Sequence, residues 1–446
     1  MSSRSLEMSA SRNLQRRAHA LIPGGSHTYA KGDDQYPITA PPFIARGLGC
    51  HVWDTDGNEY IEYGMGNRAV GLGHAYEPVV SAARAQLSSG CNFTRPSPLE
   101  VECAEQFLNL VDTAEMVKFC KDGSDATSAA VKISRAYTGR DMIAICAEHP
   151  FFSTDDWFIG TTAMNAGIPE QIKQLTVGFK YNDLASVKTL FDKYPGRIAA
   201  LILEPARIDE PRDGFLHKLK ALCHEQGALF ILDEMITGLR WHSGGAQKFY
   251  DIQPDLSSFG KALANGFSVS ALAGRREFMR LGGLDHTDRP RVFLLSTTHG
   301  AETHSLAAAI ATMRIYQNEP VLEHLTRQGE RLRELAEAVI RHHDLEAYVS
   351  IIGRASCLLY GTRDLDGKPS QAMRTLLLQE TIRRGVLMPS LVVSYSHADE
   401  DIERTVMALD GALGVYRQAL DGGVNRFLIG RPSEPVMRNY NTSTRQ

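Results

Sequence analysis

Two short apolar runs in this chain end in residues that could do chemistry together. Leu229-Phe230-Ile231-Leu232-Asp233-Glu234-Met235 ends in acids, and Ser257-Ser258-Phe259-Gly260-Lys261 ends in a lysine. Such runs read as buried parallel strands, which deliver side chains to a site at their carboxyl ends. A buried amine there can form a Schiff base with an aldehyde cofactor. A buried carboxylate beside it can keep the cofactor's pyridine nitrogen protonated. Most lysines lie on the surface, and many strand-end aspartates are caps or ion-pair partners; the apolar flank of Lys261 argues against the plainer reading. Glu234 should face away from Asp233, because side chains alternate along a strand, and it is read as structural.

Other residues could complete such a site. Gly123 and Ser124 open a helix, where free N–H groups and the positive end of the helix dipole favour a phosphate. Taken alone, Gly123-Ser124-Asp125 before a helix is only a good N-cap. Thr297-Thr298-His299-Gly300 precedes a second helix and could present another N-terminus. His242, His299 and His304 fit no metal-ligand spacing, so no metal is assigned.

Leu-Phe-Ile-Leu-Asp-Glu-Met-Ile-Thr-Gly-Leu-Arg (229–240), Gly-Gly-Ala-Gln (244–247), Pro-Asp-Leu (254–256) and Gly-Lys (260–261) together resemble the signature of the class III pyridoxal-phosphate aminotransferases. The branch it is most similar to is that of glutamate-1-semialdehyde 2,1-aminomutase, and the likeness runs from Pro23-Gly24-Gly25 to Ala398-Asp399-Glu400-Asp401. The resemblance implies a fold type I enzyme with pyridoxal 5'-phosphate as cofactor. It makes Lys261 the Schiff-base lysine and Asp233 the partner of the ring nitrogen. Gly123 and Ser124 become phosphate ligands, and Thr298 a residue that reaches the phosphate across the interface of a homodimer with shared active sites. Glu204, in Glu204-Pro205, would sit near the cofactor. Phe151 takes the place of the aromatic that stacks on the ring, with Phe152 as its rival. The family usually carries Ser-Gly-Thr where this chain has Asp122-Gly123-Ser124; Asp122 would be awkward beside a phosphate and is expected to point away.

Three departures fall on the substrate side. The aminomutase branch carries an arginine where this chain has Lys31, and a lysine lacks the bidentate fork. Its Ser-Trp-Gly-Pro loop is replaced by Gly66-Asn67-Arg68-Ala69, and its Gly-Asn-Pro after the threonine by Gly300-Ala301-Glu302-Thr303. The same cofactor chemistry on a more polar substrate follows. The leading expectation is an aminotransferase that takes an amine from an amino-acid donor such as L-glutamate, passes through pyridoxamine phosphate, and aminates a polar aldehyde or ketone, sugar-derived compounds among them. Lys31, Asn67 and Arg68 are the candidate substrate contacts, with Asn92 and Arg95 behind them. The alternatives are an intramolecular aminomutase and a cofactor-fold binding protein without turnover.

The elements that must position these residues read as α/β. Strand candidates at 116–120, 142–147, 198–204, 228–234 and 268–274 alternate with helical stretches, which predicts a large cofactor domain with a mostly parallel central sheet flanked by helices. A smaller α+β domain is expected from the N- and C-terminal segments. The boundaries read as an N-terminal segment 1–96 with a 51–63 hairpin, a large domain 97–318, a C-terminal domain 319–420 and an extended tail 421–446. At 446 residues the chain is too long for a single ordinary core. Its net charge of −4 predicts neither nucleic acid nor an anionic membrane as partner, and no apolar run approaches a membrane span. Seven scattered cysteines without CxxC spacing suit reduced thiols in a cytoplasm, and the polar N-terminus lacks a signal-peptide core. Small-molecule donor and acceptor remain as partners.

Overall fold

A computed structural model describes residues 7–440. The chain divides into two compact units, one from the N-terminus to Tyr76 together with Glu323–Arg438, the other Glu77–Leu322 together with the chain from Asn439.

The second unit is built on a seven-stranded sheet: β1 (Met116–Cys120), β2 (Met142–Cys146), β3 (Thr176–Phe179), β4 (Ile198–Leu203), β5 (Leu229–Asp233), β6 (Leu256–Phe259) and β7 (Ser270–Gly274), in the order β1-β7-β6-β5-β4-β2-β3. Only β7 runs against its neighbours β1 and β6; the other pairs are parallel. The mostly parallel sheet follows from sequence pattern: β4 and β5 are buried at every position, as strands covered on both faces must be. Helix α1 (Gly123–Thr138) covers one face with Ala126, Ala130 and Ile133, against Ile143, Ile202 and Ile231. The helix Phe215–Glu225 covers the other with Phe215 and Leu219, against Leu201, Phe230 and Leu232. Burial of each such side chain contributes on the order of 1.5–3 kcal/mol. The period of two that sends Ile231 to the α1 face sends Asp233 there too, and Glu234 to the opposite one.

The first unit is α+β. Strands Ile44–Leu48, His51–Asp54 and Glu59–Glu62 form an antiparallel meander, joined by Val386–Leu387 parallel to the last of them. A hairpin of Val349–Ile352 and Leu359–Thr362 lies in the same unit, as do helices Gln371–Ile382 and Asp399–Gly422. The C-terminal segment is extended and tied down: Arg431 donates to the carbonyl of Asp33 at 3.0 Å, and Arg438 pairs with Asp34 at 2.7 Å. Residues 441–446 of the expected tail, and 1–6 of the expected arm, lie outside the described residues.

Two differences from the sequence reading have simple causes. The division falls at Glu77, not near Ser97, because the helix Glu77–Leu87 packs along Thr303–Asn318, in the same unit. Strand β3 was not anticipated: it is four residues long, contains Gly178 and lies at the sheet edge, so it carries too few apolar positions to show a period. No described helix is long and apolar enough to cross a membrane. The seven cysteines are free.

Candidate active site

Asp233 ends β5, and Ser258 on β6 is its cross-strand neighbour in the parallel register. The carboxylate is almost wholly buried, at 3% exposure. Its Oδ1 accepts two hydrogen bonds, from the Met235 N–H at 3.0 Å and from the Ser258 hydroxyl at 3.0 Å. Burial raises the Asp233 carboxyl above the usual range, while the charge of Lys261, the Met235 N–H and the Ser258 hydroxyl pull it down. Lys261 stands just past the end of β6, the strand paired with β5. It sits one residue past Gly260, which follows β6, and its backbone is in the left-handed region at φ +47°. A non-glycine residue there is strained, and such strain collects where a side chain must be aimed.

Met235 ties this pair to the start of α1. A Cβ on Gly123 would meet its Sδ at 2.9 Å, and one on Gly260 would meet the same atom at 2.7 Å. Met235 thus packs against the helix start and the lysine turn together, and Ser270 crowds Gly260 as well. Nothing in the sequence singled out Met235 or Ser258; the cross-strand partner of Asp233 emerges only once the register is known.

Glu234 has the structural role expected of it. It is fully buried, accepts from the N–H groups of Ala246 at 2.8 Å and Gln247 at 2.6 Å and from the Thr237 hydroxyl, and so closes the loop that follows β5. Burial pushes its carboxyl up to about 7 against these bonds.

The start of α1 holds both a donor and a surprise. Ser124 Oγ accepts from the Thr154 N–H at 3.0 Å, which leaves the hydroxyl proton available to a phosphate oxygen. Asp122 does not point away, contrary to the reading from its type. Its Oδ1 accepts from the N–H groups of Ser124 at 2.9 Å and Asp125 at 3.1 Å, because an aspartate preceding a helix is a strong N-cap.

The aromatic segment is laced to the same helix. Thr127 donates to the Phe152 carbonyl at 2.7 Å, Ser128 and Ser153 share a 3.0 Å hydrogen bond, and Trp157 donates to Ser128 at 2.8 Å. Phe152 is committed to the core at 2% exposure, whereas Phe151 is 43% exposed. Of the two, only Phe151 offers a ring to a ligand. Glu204 is buried just past β4, its N–H donating to His149 Nδ1 at 3.0 Å. Burial, with Arg207 nearby, pushes His149 down to about 3, so a neutral ring joins the ends of β2 and β4.

Thr298 is exposed and lies in a turn; the helix after it starts only at Thr303, so Thr298 is not at that N-terminus. The turn is held by Asn92, whose amide donates to the Thr298 carbonyl at 3.0 Å, and by Glu302, which pairs with Lys121 and with His299. Asn92 thus spends its amide on the backbone. Arg95 is exposed. His242 accepts the Gly244 N–H at 3.0 Å.

All these residues belong to the second unit, while Lys31, Asn67 and Arg68 belong to the first. There a cavity of about 620 Å³ is lined by Lys31 and Asn67, with Tyr36, Glu62 and His74 in its wall. Asn67 stands in four consecutive left-handed residues: Met65 (φ +43°), Gly66 (+58°), Asn67 (+57°) and Arg68 (+71°). Arg68 is half-buried and outside the cavity lining, so the structure separates it from its neighbour.

The second unit fits pyridoxal phosphate: an amine and a desolvated carboxylate on adjacent strand ends, a helix start with a donating hydroxyl, and an open aromatic ring. Comparison with known proteins agrees. The family model of the class-III aminotransferases matches residues 29–346. Glutamate-1-semialdehyde 2,1-aminomutase of Acetivibrio thermocellus is 31% identical over 90% of this chain and 97% of its own, and that of Desulforamulus reducens 32% identical over 92% and 98%. Among solved structures, the PLP-bound FumI protein of Sphingopyxis sp. MTA144 superposes with a TM-score of 0.84 at 29% identity, covering 92% of this chain and 97% of that one. An omega-transaminase from Sphaerobacter thermophilus gives 0.81 at 25%, covering 92% and 98%. The chain belongs to the class-III aminotransferases and is a pyridoxal-phosphate-dependent enzyme.

Proposed function

We propose that this enzyme moves an amino group from an amino-acid donor, such as L-glutamate, to a polar aldehyde or ketone, with Lys261 and Asp233 at its centre. When bound, pyridoxal phosphate supplies an aldehyde that captures amines and a ring that withdraws electrons from the neighbouring carbon. The site's geometry supports the part assigned to the protein's own residues. Lys261 would hold the cofactor through its amine and, when that amine is free, would move a proton at the substrate carbon as base and then acid. Asp233, desolvated and fixed through Oδ1 by Ser258 and Met235, favours a shared proton and so keeps one on the ring nitrogen. Ser124 would donate its hydroxyl to the phosphate, Phe151 would cover a ring face, and Thr298 would act from a partner subunit in a homodimer.

What supports the intermolecular reading is the set of departures from the aminomutase branch on the substrate side: in the first unit's mostly apolar cavity, Lys31 and Asn67 stand in the wall with the Glu62–His74 pair, whose atoms lie 2.9 Å apart. These polar groups would orient a substrate's polar end, and Lys31 would attract its negative charge.

A second reading is supported by the relatives. The curated relatives reported above are both named glutamate-1-semialdehyde 2,1-aminomutase, which favours an amine shuffled within one molecule over transfer between two. One experiment separates the readings. The holoenzyme is mixed with L-glutamate alone, and separately with glutamate-1-semialdehyde alone. Release of 2-oxoglutarate in step with loss of the cofactor's visible absorbance is expected. Conversion of the semialdehyde to an isomer, with glutamate inert, would establish the second reading instead.

A further inference from the structure

Asp122 is a residue of the cofactor side that disagrees with a bound phosphate. Its carboxylate accepts the N–H groups of Ser124 and Asp125, two of the free donors in the first turn of the sixteen-residue helix α1. These are donors an incoming phosphate would use, since the helix dipole points there. Negative charge is also concentrated around them. Asp125 accepts the Lys121 N–H at 3.2 Å, and burial, with the charges of Asp122 and Asp155, raises its carboxyl. The adjacent cation, Lys121, is engaged by Glu302. Asp122 itself is exposed, so its side chain can leave the helix without disturbing packing.

We propose that Asp122 competes with the cofactor's phosphate for the first N–H groups of α1, so that loading requires this carboxylate to swing off the helix and its charge holds the affinity below what the rest of the site would give. This rests on the reading of α1 as the phosphate cradle. Two consequences separate competition from a simple capping role. A neutral side chain that still caps the helix should strengthen binding, because the charge conflict goes while the helix start is kept. The gain should appear only with ligands that carry the phosphate.

The test uses the full chain stripped of cofactor and titrated with pyridoxal phosphate or with pyridoxal, which lacks the phosphate, following absorbance. Asp122→Asn is expected to bind pyridoxal phosphate about tenfold more tightly than the wild type and pyridoxal equally well. Asp122→Ser, which also keeps an N-cap oxygen without charge, should behave the same way and guards against a folding defect peculiar to the asparagine. Unchanged or weaker binding of pyridoxal phosphate in both variants would overturn the proposal. So would an equal shift for the two ligands, which marks a structural effect. If neither wild type nor variants bind pyridoxal phosphate better than pyridoxal, the phosphate cradle itself is misassigned, and the competition falls with it.

Discussion

The two units hold their candidate residues in opposite ways. In the second, Asp233 and Lys261 stand at the ends of adjacent strands, buried or flanked by core, with Asp233 fixed by hydrogen bonds of 3.0 Å from both strand partner and chain neighbour. In the first, Lys31 and Asn67 are exposed on a short turn and a left-handed run, around a cavity. The carboxyl end of a central strand pair is a rigid support, and cofactor chemistry shared by a family needs one. Loops tolerate change, and that is where specificity varies. The departures from the aminomutase branch fall mainly on the loops, while the strand ends keep the family pattern.

The comparison is broken first at its strongest point. Lys261→Ala should lower turnover by about a thousandfold or more and abolish the visible absorbance of covalently held cofactor. An unchanged spectrum in that variant would remove the lysine from its role. Asp233→Asn should retain cofactor but lose about a hundredfold or more in kcat, because an amide no longer favours a proton on the ring nitrogen. Steady-state kinetics with a saturating donor would show it.

Glu234 tests whether rigidity on the strand side has a cost. Its carboxyl is raised from 4.5 to about 7 by burial. Between these values the folded protein keeps a proton that the unfolded chain has lost, so stability falls as pH rises through the window. At 1.36 kcal/mol per unit the rise corresponds to about 3 kcal/mol. Glu234→Gln should remove this slope, and the difference between the two proteins' thermal midpoints from pH 5 to pH 8 measures it. Parallel curves would mean that Glu234 does not titrate there.

On the loop side the effects should be smaller and confined to substrate. Lys31→Ala and Asn67→Ala should each raise KM for the carbonyl substrate about tenfold, leaving cofactor affinity and the spectrum unchanged. A loss of cofactor in either variant would erase the distinction between the units.

How much of this was legible in the sequence follows the same division. The parallel sheet was readable because β4 and β5 are continuous apolar runs, and Lys261 and Asp233 because they end such runs. Asp122 was misjudged: its type argued against a phosphate, but the stronger local force was N-capping, which turns a carboxylate toward the helix. Ser258 and Met235 were invisible, since their roles depend on register and on close approach across the site. The left-handed run at 65–68 had only Gly66 and Asn67 to announce it.

The smallest effect sharpens the comparison most, because it separates two identical neighbours. The family pattern puts Phe151 at the stacking position with Phe152 as its rival; both rings touch Phe158, yet Phe151 is exposed and Phe152 is buried against the α1 face. Phe152→Leu should therefore lower stability by about 1 kcal/mol and leave cofactor affinity alone. Phe151→Leu should leave stability within about 0.5 kcal/mol. Its cost should appear in the cofactor, with pyridoxal phosphate bound a few-fold more weakly, since an aromatic contact is worth about 0.5–1.5 kcal/mol beyond area. Thermal midpoints of the stripped proteins and titrations with pyridoxal phosphate give both numbers. If Phe152→Leu weakens the cofactor and Phe151→Leu does not, the stacking ring lies inside the core cluster, and the segment laced to α1 must move when cofactor binds.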